Sequence, residues 1–403
     1  MKRVILLVID SLGIGEMEDI KINRPIDVGS NTLKHILENN KELSINNLIK
    51  LGLINALGEE MRDYKKVSNA IYGEANLTHP GADSFYGHYE IAGAKIENPV
   101  VYPLEHYIDS IKFRLEKLGY GVEKVTKFQS SYLFVDEGIF VCDNIEAEYG
   151  NVYSVIGSNE KVDYNKVKLI AKEVRNITKV SRVVSVITKV TVEELTRCIE
   201  IKEGKYIGIN SPKCNLYNRE YEVEHLGYGI NNQGHCITKL KKINVPVILI
   251  GKVSDIIDVD VDKRIYGVNT NLIIENSLEQ IKSLDYGFIF INIQETDLAG
   301  HLEDVKMYGK QLEKVDKFIG EIINLIGRDD FLIVMADHGN DPTIGHSKHT
   351  RERVPILIYN KGMHSEICLG TRKTMSDVGA TIVEIFNGER TEVGESFFSK
   401  LKI

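Results

Sequence analysis

The sequence contains no tryptophan, and only eight prolines and five cysteines in 403 residues. The cysteines, at 142, 198, 214, 236 and 368, are scattered and form no CxxC pair. That excludes a cysteine-clustered zinc module and predicts reduced thiols of a cytoplasmic protein. No apolar run approaches the roughly 18 residues of a membrane span, so no membrane partner is expected. The opening MKRVILLVIDSLGIG has the basic pair and apolar run of a secretion signal, but Asp10 interrupts it early, and it reads as a strand. Positive charge is also short. Fifty Lys and Arg face 58 Asp and Glu, a net charge of −8. This leaves no electrostatic footprint for nucleic acid. A phosphate substrate would need local positive charge, from metals or a few basic side chains. Gly13 and Gly15 follow the first strand, but the G-x-G-x-x-G dinucleotide spacing is missing. There is no internal repeat and no low-complexity tract.

What is present describes an ordinary globular chain, 43% apolar and 27% charged, long enough for two domains. Continuous apolar runs at 4–9, 245–250, 288–293 and 331–335 have the pattern of strands buried on both faces of a parallel sheet. Helical periodicity covers 31–53 (with a break), 237–242, 272–284 and 303–326. Strand and helix alternating with short joins predict an α/β fold, a doubly wound, mostly parallel sheet. From about 98 to 225 the texture changes. Short strands at 132–135, 139–141 and 183–187 alternate with helices at 108–118 and 164–177. The stretch 202–220 reads as loops or a linker. The expected organisation is a core of 1–98 and 225–403 with an inserted α+β cap, 99–224.

Chemistry collects in FLIVMADHGNDPTIGHSKHTRERVP, residues 331–355. Three apolar strands are each followed within four residues by an aspartate: Asp10, Asp297 and Asp337. Parallel strands bring their carboxyl ends to one edge, so these carboxylates converge there, with His301, His338 and His349 expected in loops on the same edge. Clustered carboxylates repel unless cations neutralise them, and a pair of divalent metals is the constellation for phosphoryl transfer. In ANLTHPGADSFYGHYEIAG, residues 75–93, Pro80-Gly81 forces a turn and Asp83-Ser84 starts a helix. Ser84 there is either a phosphate-holding residue or a simple cap.

VIDSLGIG, ADSFYGHYEIAG, ETDLAGH, MADHGNDP and HTRERVPILIY, taken in order, resemble the motifs of the alkaline phosphatase superfamily, most closely those of bacterial phosphopentomutases. The resemblance covers the core and the position of the insertion. It implies one metal held by Asp10, Ser84, Asp337 and His338, and a second held by Asp297, His301 and His349. It implies a phosphorylated Ser84 and a Lys252 near a small-molecule sugar phosphate. Mn²⁺ is the implied metal, with Zn²⁺ the alternative, since Asp and His ligands do not choose between them. HTRERVP aligns on His349, which sets His346 aside, and His88 reads equally well as a packing residue. The sequence departs from the family pattern at Ala82, where a lysine is usual, and at Leu302 and Glu303, which replace a pair of arginines. A mutase passing phosphate between sugar positions is the expected activity, with the cap closing over the substrate to exclude water. A phosphatase or phosphodiesterase on the same metals, and a catalytically silent sugar-phosphate-binding protein, are the alternatives. The oligomeric state is not legible, although a monomer suits a mobile cap.

Overall fold

The structure, a computed structural model, describes residues 2–61, 63–147, 149–216, 220–362 and 365–401. The chain divides into two compact units, Met1–Ile96 with Asn231–Ile403, and Glu97–Ile230.

The first unit is built on an eight-stranded sheet. Its order is Lys263–Ile265, Val247–Ile250, Gly287–Ile293, Arg3–Ile9, Phe331–Met335, Val354–Tyr359, Ile71–Ala75, Ile367–Arg372. The first five strands run parallel. Val354–Tyr359 is antiparallel to both its neighbours, and the last two strands are parallel again. The sheet is therefore mostly parallel, as the sequence pattern suggested, with Val354–Tyr359 reversed within it. Val4 to Ile9, Phe288 to Ile293 and Phe331 to Met335 are buried, which is why these runs are apolar without alternation. Helices Thr32–Asn39, Asn46–Lys50, Thr270–Ser283 and Val305–Leu325 pack in one layer, and Ser84–Ile91, Cys236–Lys242 and Ser376–Ile385 in another.

Register places the site. Val8 pairs with Met335, so Asp10 and Asp337, each two residues further on, stand side by side. Ile9 pairs with Ile293, and the Asp10 N–H donates to the Ile293 carbonyl at 3.1 Å. Asp297 and His301 then lie on the helix Glu295–His301, where the sequence suggested a loop for His301. A separation of four residues sets both side chains on one face of that helix.

The second unit has a six-stranded sheet in the order Tyr221–Gly227, Arg182–Thr188, Val152–Ser158, Ile139–Asp143, Ser130–Val135, Val122–Lys127. Alternate residues feed two apolar clusters. Leu133, Val141, Val155 and Val183 pack with helices Ile108–Lys117 and Tyr164–Ile177. Tyr132, Phe140, Ile156 and Val184 pack instead with Leu195, Ile207 and Ile209. The stretch 202–220, read from sequence as loop, contains the strand Tyr206–Ile209, which pairs with Ile199–Lys202. Residues 217–219 of that stretch lie outside the described residues. No helix among the described residues is long and apolar enough to cross a membrane.

Candidate metal centre

Asp10, Asp297, Asp337 and His338 are all buried at the carboxyl edge of the parallel strands. The turn after Asp10 carries strain that aims a donor. Ser11 adopts φ +70°, uncommon for a residue with a Cβ, and its N–H donates to Asp337 Oδ1 at 3.1 Å. Its hydroxyl meets the Tyr308 hydroxyl at 3.0 Å, and Thr296 donates to the Asp10 carbonyl at 2.7 Å.

The three histidines share one arrangement. His301 Nδ1 lies 2.6 Å from the Ser347 carbonyl, His338 Nδ1 2.9 Å from that of Gly339, and His349 Nδ1 2.8 Å from that of Ala82. A carbonyl only accepts, so each Nδ1 carries a proton and each Nε2 is turned to the carboxylates, where it can serve as a ligand once deprotonated. His301 Nε2 is 3.2 Å from Asp297 Oδ2 and 3.1 Å from His349 Nε2, while His349 Nε2 is 3.3 Å from Asp297 Oδ1. His338 Nε2 lies 3.2 Å from Asp337 Oδ2 and 3.5 Å from Asp10 Oδ1. Asn340, read from the sequence as a turn residue, donates to Asp297 Oδ1 at 2.9 Å.

Ser84 opens the helix Ser84–Ile91, whose N-cap is Asp83. The Ser84 hydroxyl donates to Asp337 Oδ2 at 2.6 Å. This close approach needs Gly87: a Cβ there would lie 2.9 Å from the Asp337 carbonyl oxygen. Lys252 sits among the carboxylates, its Nζ 2.8 Å from Asp10 Oδ2 and 3.7 Å from Asp297 Oδ2.

His88 is fully buried and belongs to the site. It donates from Nδ1 to the Ser84 carbonyl at 2.8 Å and faces Asn292 Nδ2 from Nε2 at 3.0 Å. Asn292 also donates to Asp10 Oδ2 at 3.0 Å. The signal for Asn292 was present in the sequence: a lone amide inside the apolar run 288–293. His346 stands apart, its Nε2 3.2 Å from Asp27 Oδ1.

Burial, then repulsion from Asp337, raises the Asp10 carboxyl to about 7, against the pull of Lys252. Burial alone would raise Asp337 too, but His338 holds it well below the carboxylate range. Burial pushes His88 down to about 4, so it is neutral. Burial opposes charge on Lys252, yet Asp10, Asp297 and Asp337 outweigh it and hold the ammonium above its usual range.

These groups fit divalent cations. Asp10 Oδ1 and His338 Nε2 are buried without a hydrogen-bond partner, a costly state for polar atoms that are not ligands. Asp10, Asp337 and His338 offer ligand atoms within 4.8 Å of one another, and so do Asp297, His338 and His349. His338 thus lies within reach of both groups, whereas the resemblance assigned it to one.

Another motif pair organises the frame. Glu352 is buried and accepts from Gly15 N, Thr32 N, Thr32 Oγ1 and Thr350 Oγ1 at 2.6–3.1 Å, tying the turn after Asp10 to the loop of His338 and His349. Arg351 points the other way, to the segment before Ser84.

Residues 2–390 match the family model of the metalloenzyme superfamily. The chain is 31% identical over 407 residues to a phosphopentomutase of Clostridium kluyveri, spanning 98% of each chain. It is 32% identical over 424 residues to a phosphopentomutase of Dictyoglomus thermophilum, covering 100% of this chain and 99% of that one. In fold it is similar to a phosphoglycerate mutase of Leishmania mexicana, with a TM-score of 0.51, 13% identity, and 98% and 96% of the two chains covered. With ligand-type side chains gathered on one sheet edge and near full-length likeness to these enzymes, the chain belongs to the metalloenzyme superfamily and, within it, to the phosphopentomutase-like, metal-dependent phosphomutases.

Proposed function

We propose that the protein interconverts the 1- and 5-phosphates of ribose or deoxyribose through a phosphorylated Ser84. The observation that carries this reading is the Ser84 hydroxyl, 2.6 Å from Asp337 Oδ2 inside a cluster of ligand-type side chains. Asp10, Ser84, Asp337 and His338 would hold one divalent cation, and Asp297, His301 and His349 the other, with Mn²⁺ as the metal. When bound, such cations offset charge on a transferring phosphoryl group and favour the serine alkoxide.

The chain's own residues do the rest. Asp337, itself held by the Ser11 amide, fixes the rotamer of Ser84. His88 and Asn292 brace the first turn of the serine's helix against Asp10. Lys252 supplies the cationic charge that a net-negative chain needs for a phosphate monoester. In the transfer, a substrate hydroxyl oxygen bonds to phosphorus as the bond from phosphorus to Ser84 Oγ breaks and the hydroxyl proton passes to Ser84 Oγ, giving a sugar bisphosphate. The other phosphate then returns to Ser84 Oγ by the reverse bond change. Residues 97–230 are assigned as the cap, and the reducing cytoplasm as the location, in keeping with the free cysteines.

The test supplies ribose 1-phosphate to the Mn²⁺-loaded enzyme and follows ribose 5-phosphate against free phosphate. Ribose 5-phosphate is the expected product, and Ser84→Ala should abolish it while metal content stays above that of a metal-free control. Release of free phosphate alone would replace the mutase reading with a phosphatase, and a fully active Ser84→Ala would remove the serine from the mechanism.

A further inference from the structure

The segment before Ser84 has no sheet or helix to satisfy its backbone. Several of its hydrogen bonds go to charged side chains instead, on two sides. Glu90 accepts from Thr78 N and His79 N, each at 3.0 Å. The carbonyls go to Arg351: Nη2 donates to Leu77 at 3.0 Å, and Nη1 donates to His79 at 2.8 Å and to Gly81 at 2.6 Å. Leu77 enters from the strand side, and the turn at Pro80-Gly81, with Gly81 at φ +70°, brings the later carbonyls round to the same guanidinium. A planar fork of fixed donors matches that set.

The remaining N–H groups of Arg351 reach Asp19, from Nε at 3.0 Å to Oδ1 and from Nη2 at 2.8 Å to Oδ2. Every N–H of the guanidinium is thereby spent, and the side chain is only 4% exposed. Arg351 also stands two residues after His349, whose Nδ1 donates to the next carbonyl in line, that of Ala82. One short stretch therefore presents both an imidazole to the ligand cluster and a clamp to the serine loop.

We propose that Arg351 is a positioning residue, which sets Ser84 at its distance from His349 by gripping the 77–81 backbone. The proposal rests on the reading of Ser84 as phosphoryl carrier. It assigns to the first arginine of HTRERVP a role in phosphoryl transfer that needs no contact with substrate. Lysine cannot replace it, because one ammonium cannot span three carbonyls and a carboxylate.

The experiment compares wild type, Arg351→Lys and Asp19→Asn, each Mn²⁺-loaded. It reads hydrogen exchange at the amides of 77–83, Mn²⁺ affinity by calorimetry, and Ser84 phosphorylation by intact mass after exposure to ribose 1,5-bisphosphate. For Arg351→Lys we expect faster exchange confined to 77–83, Mn²⁺ affinity within a few-fold of wild type, and phosphorylation slower by about 10²-fold, the scale of a misplacement near 1 Å. Asp19→Asn keeps the guanidinium and should shift the same readouts in the same direction by less. If Arg351→Lys does not fold, Asp19→Asn decides: unchanged exchange at 77–83 overturns the clamp. Exchange that rises across the whole sheet, or a phosphorylation rate equal to wild type, overturns it as well. A wild-type enzyme that never gains phosphate on Ser84 would instead overturn the serine reading, and exchange at 77–83 would still judge the clamp.

Discussion

The central strands of both sheets are buried on both faces, but the units bury different things. Among the described residues, the first unit hides Asp10, Asp27, Glu90, Asp297, Asp337, His338, Arg351 and Glu352, most of them at or beside one sheet edge. The second buries hydroxyls such as Ser154, Ser158, Ser185 and Thr188, and a carboxylate, Asp143, which accepts from Leu104 N at 2.8 Å and Ile207 N at 3.2 Å. Burying charge is expensive unless partners are supplied, so a cluster of it at a sheet edge marks chemistry, and its scarcity marks a scaffold.

Exchanging one residue in each unit should break the comparison most visibly. Asp337→Ala removes the anchor of Ser84 and a ligand-type carboxylate, and should cost about 10³-fold in transfer rate. Leu133→Ala in the inserted unit should instead cost about 2–5 kcal/mol of that unit's stability by opening a cavity, with Mn²⁺ affinity unchanged. Steady-state rates, calorimetry and thermal unfolding read the two quantities apart; an inserted-unit variant that lost metal would erase the distinction.

The next effect is opposite in sign in the two units. Glu90 is buried, which alone would raise its pKa, but His79, Thr374 and backbone amides hold it at about 2, below its unfolded value. Its contribution is present above the unfolded carboxylate range and is lost as pH falls from 4.5 towards 2. Burial raises Asp143 to about 6, against its backbone donors. That stability is present below 3.8 and is lost as pH rises through 6. Each shift corresponds to about 3 kcal/mol at its limit. Hydrogen exchange followed from pH 3 to pH 7 should show Thr78 and His79, the amides bonded to Glu90, gaining protection as Leu104 and Ile207, bonded to Asp143, lose it, and Glu90→Gln and Asp143→Asn should flatten the respective trends.

The smallest effect tests the null case. Lys112 and Glu116 form an exposed i,i+4 pair on the helix Ile108–Lys117. Lys112→Ala should change stability by no more than about 0.5 kcal/mol, as read by denaturant unfolding. A larger loss would mean that surface charge matters more in this unit than its apolar clusters suggest.

Much of the edge was readable in the sequence because the runs 4–9, 288–293 and 331–335 have no polar interruption but Asn292, and each stops near an aspartate. The helix boundaries came close for the same reason, with 164–177 matching the observed Tyr164–Ile177. The strand Tyr206–Ile209 was missed because its stretch is rich in turn formers on either side, and pairing with Ile199–Lys202 overrides them. His88 could not be placed, since a histidine four residues along a helix from Ser84 has either fate until Asn292 arrives from a strand far away in the chain.

By itself, then, the sequence determined the periodicities, the doubly wound class and the residue types at each strand end, because these depend on local pattern and burial. Only tertiary structure decided which side chains meet. Parallel register set Asp10 beside Asp337, and a helix, not a loop, carried His301 back to Asp297. His338 came to stand between the two ligand groups. The charged pair after His349 divided, Glu352 towards Thr32 and Arg351 towards Leu77, since neighbouring residues of an extended segment face opposite ways.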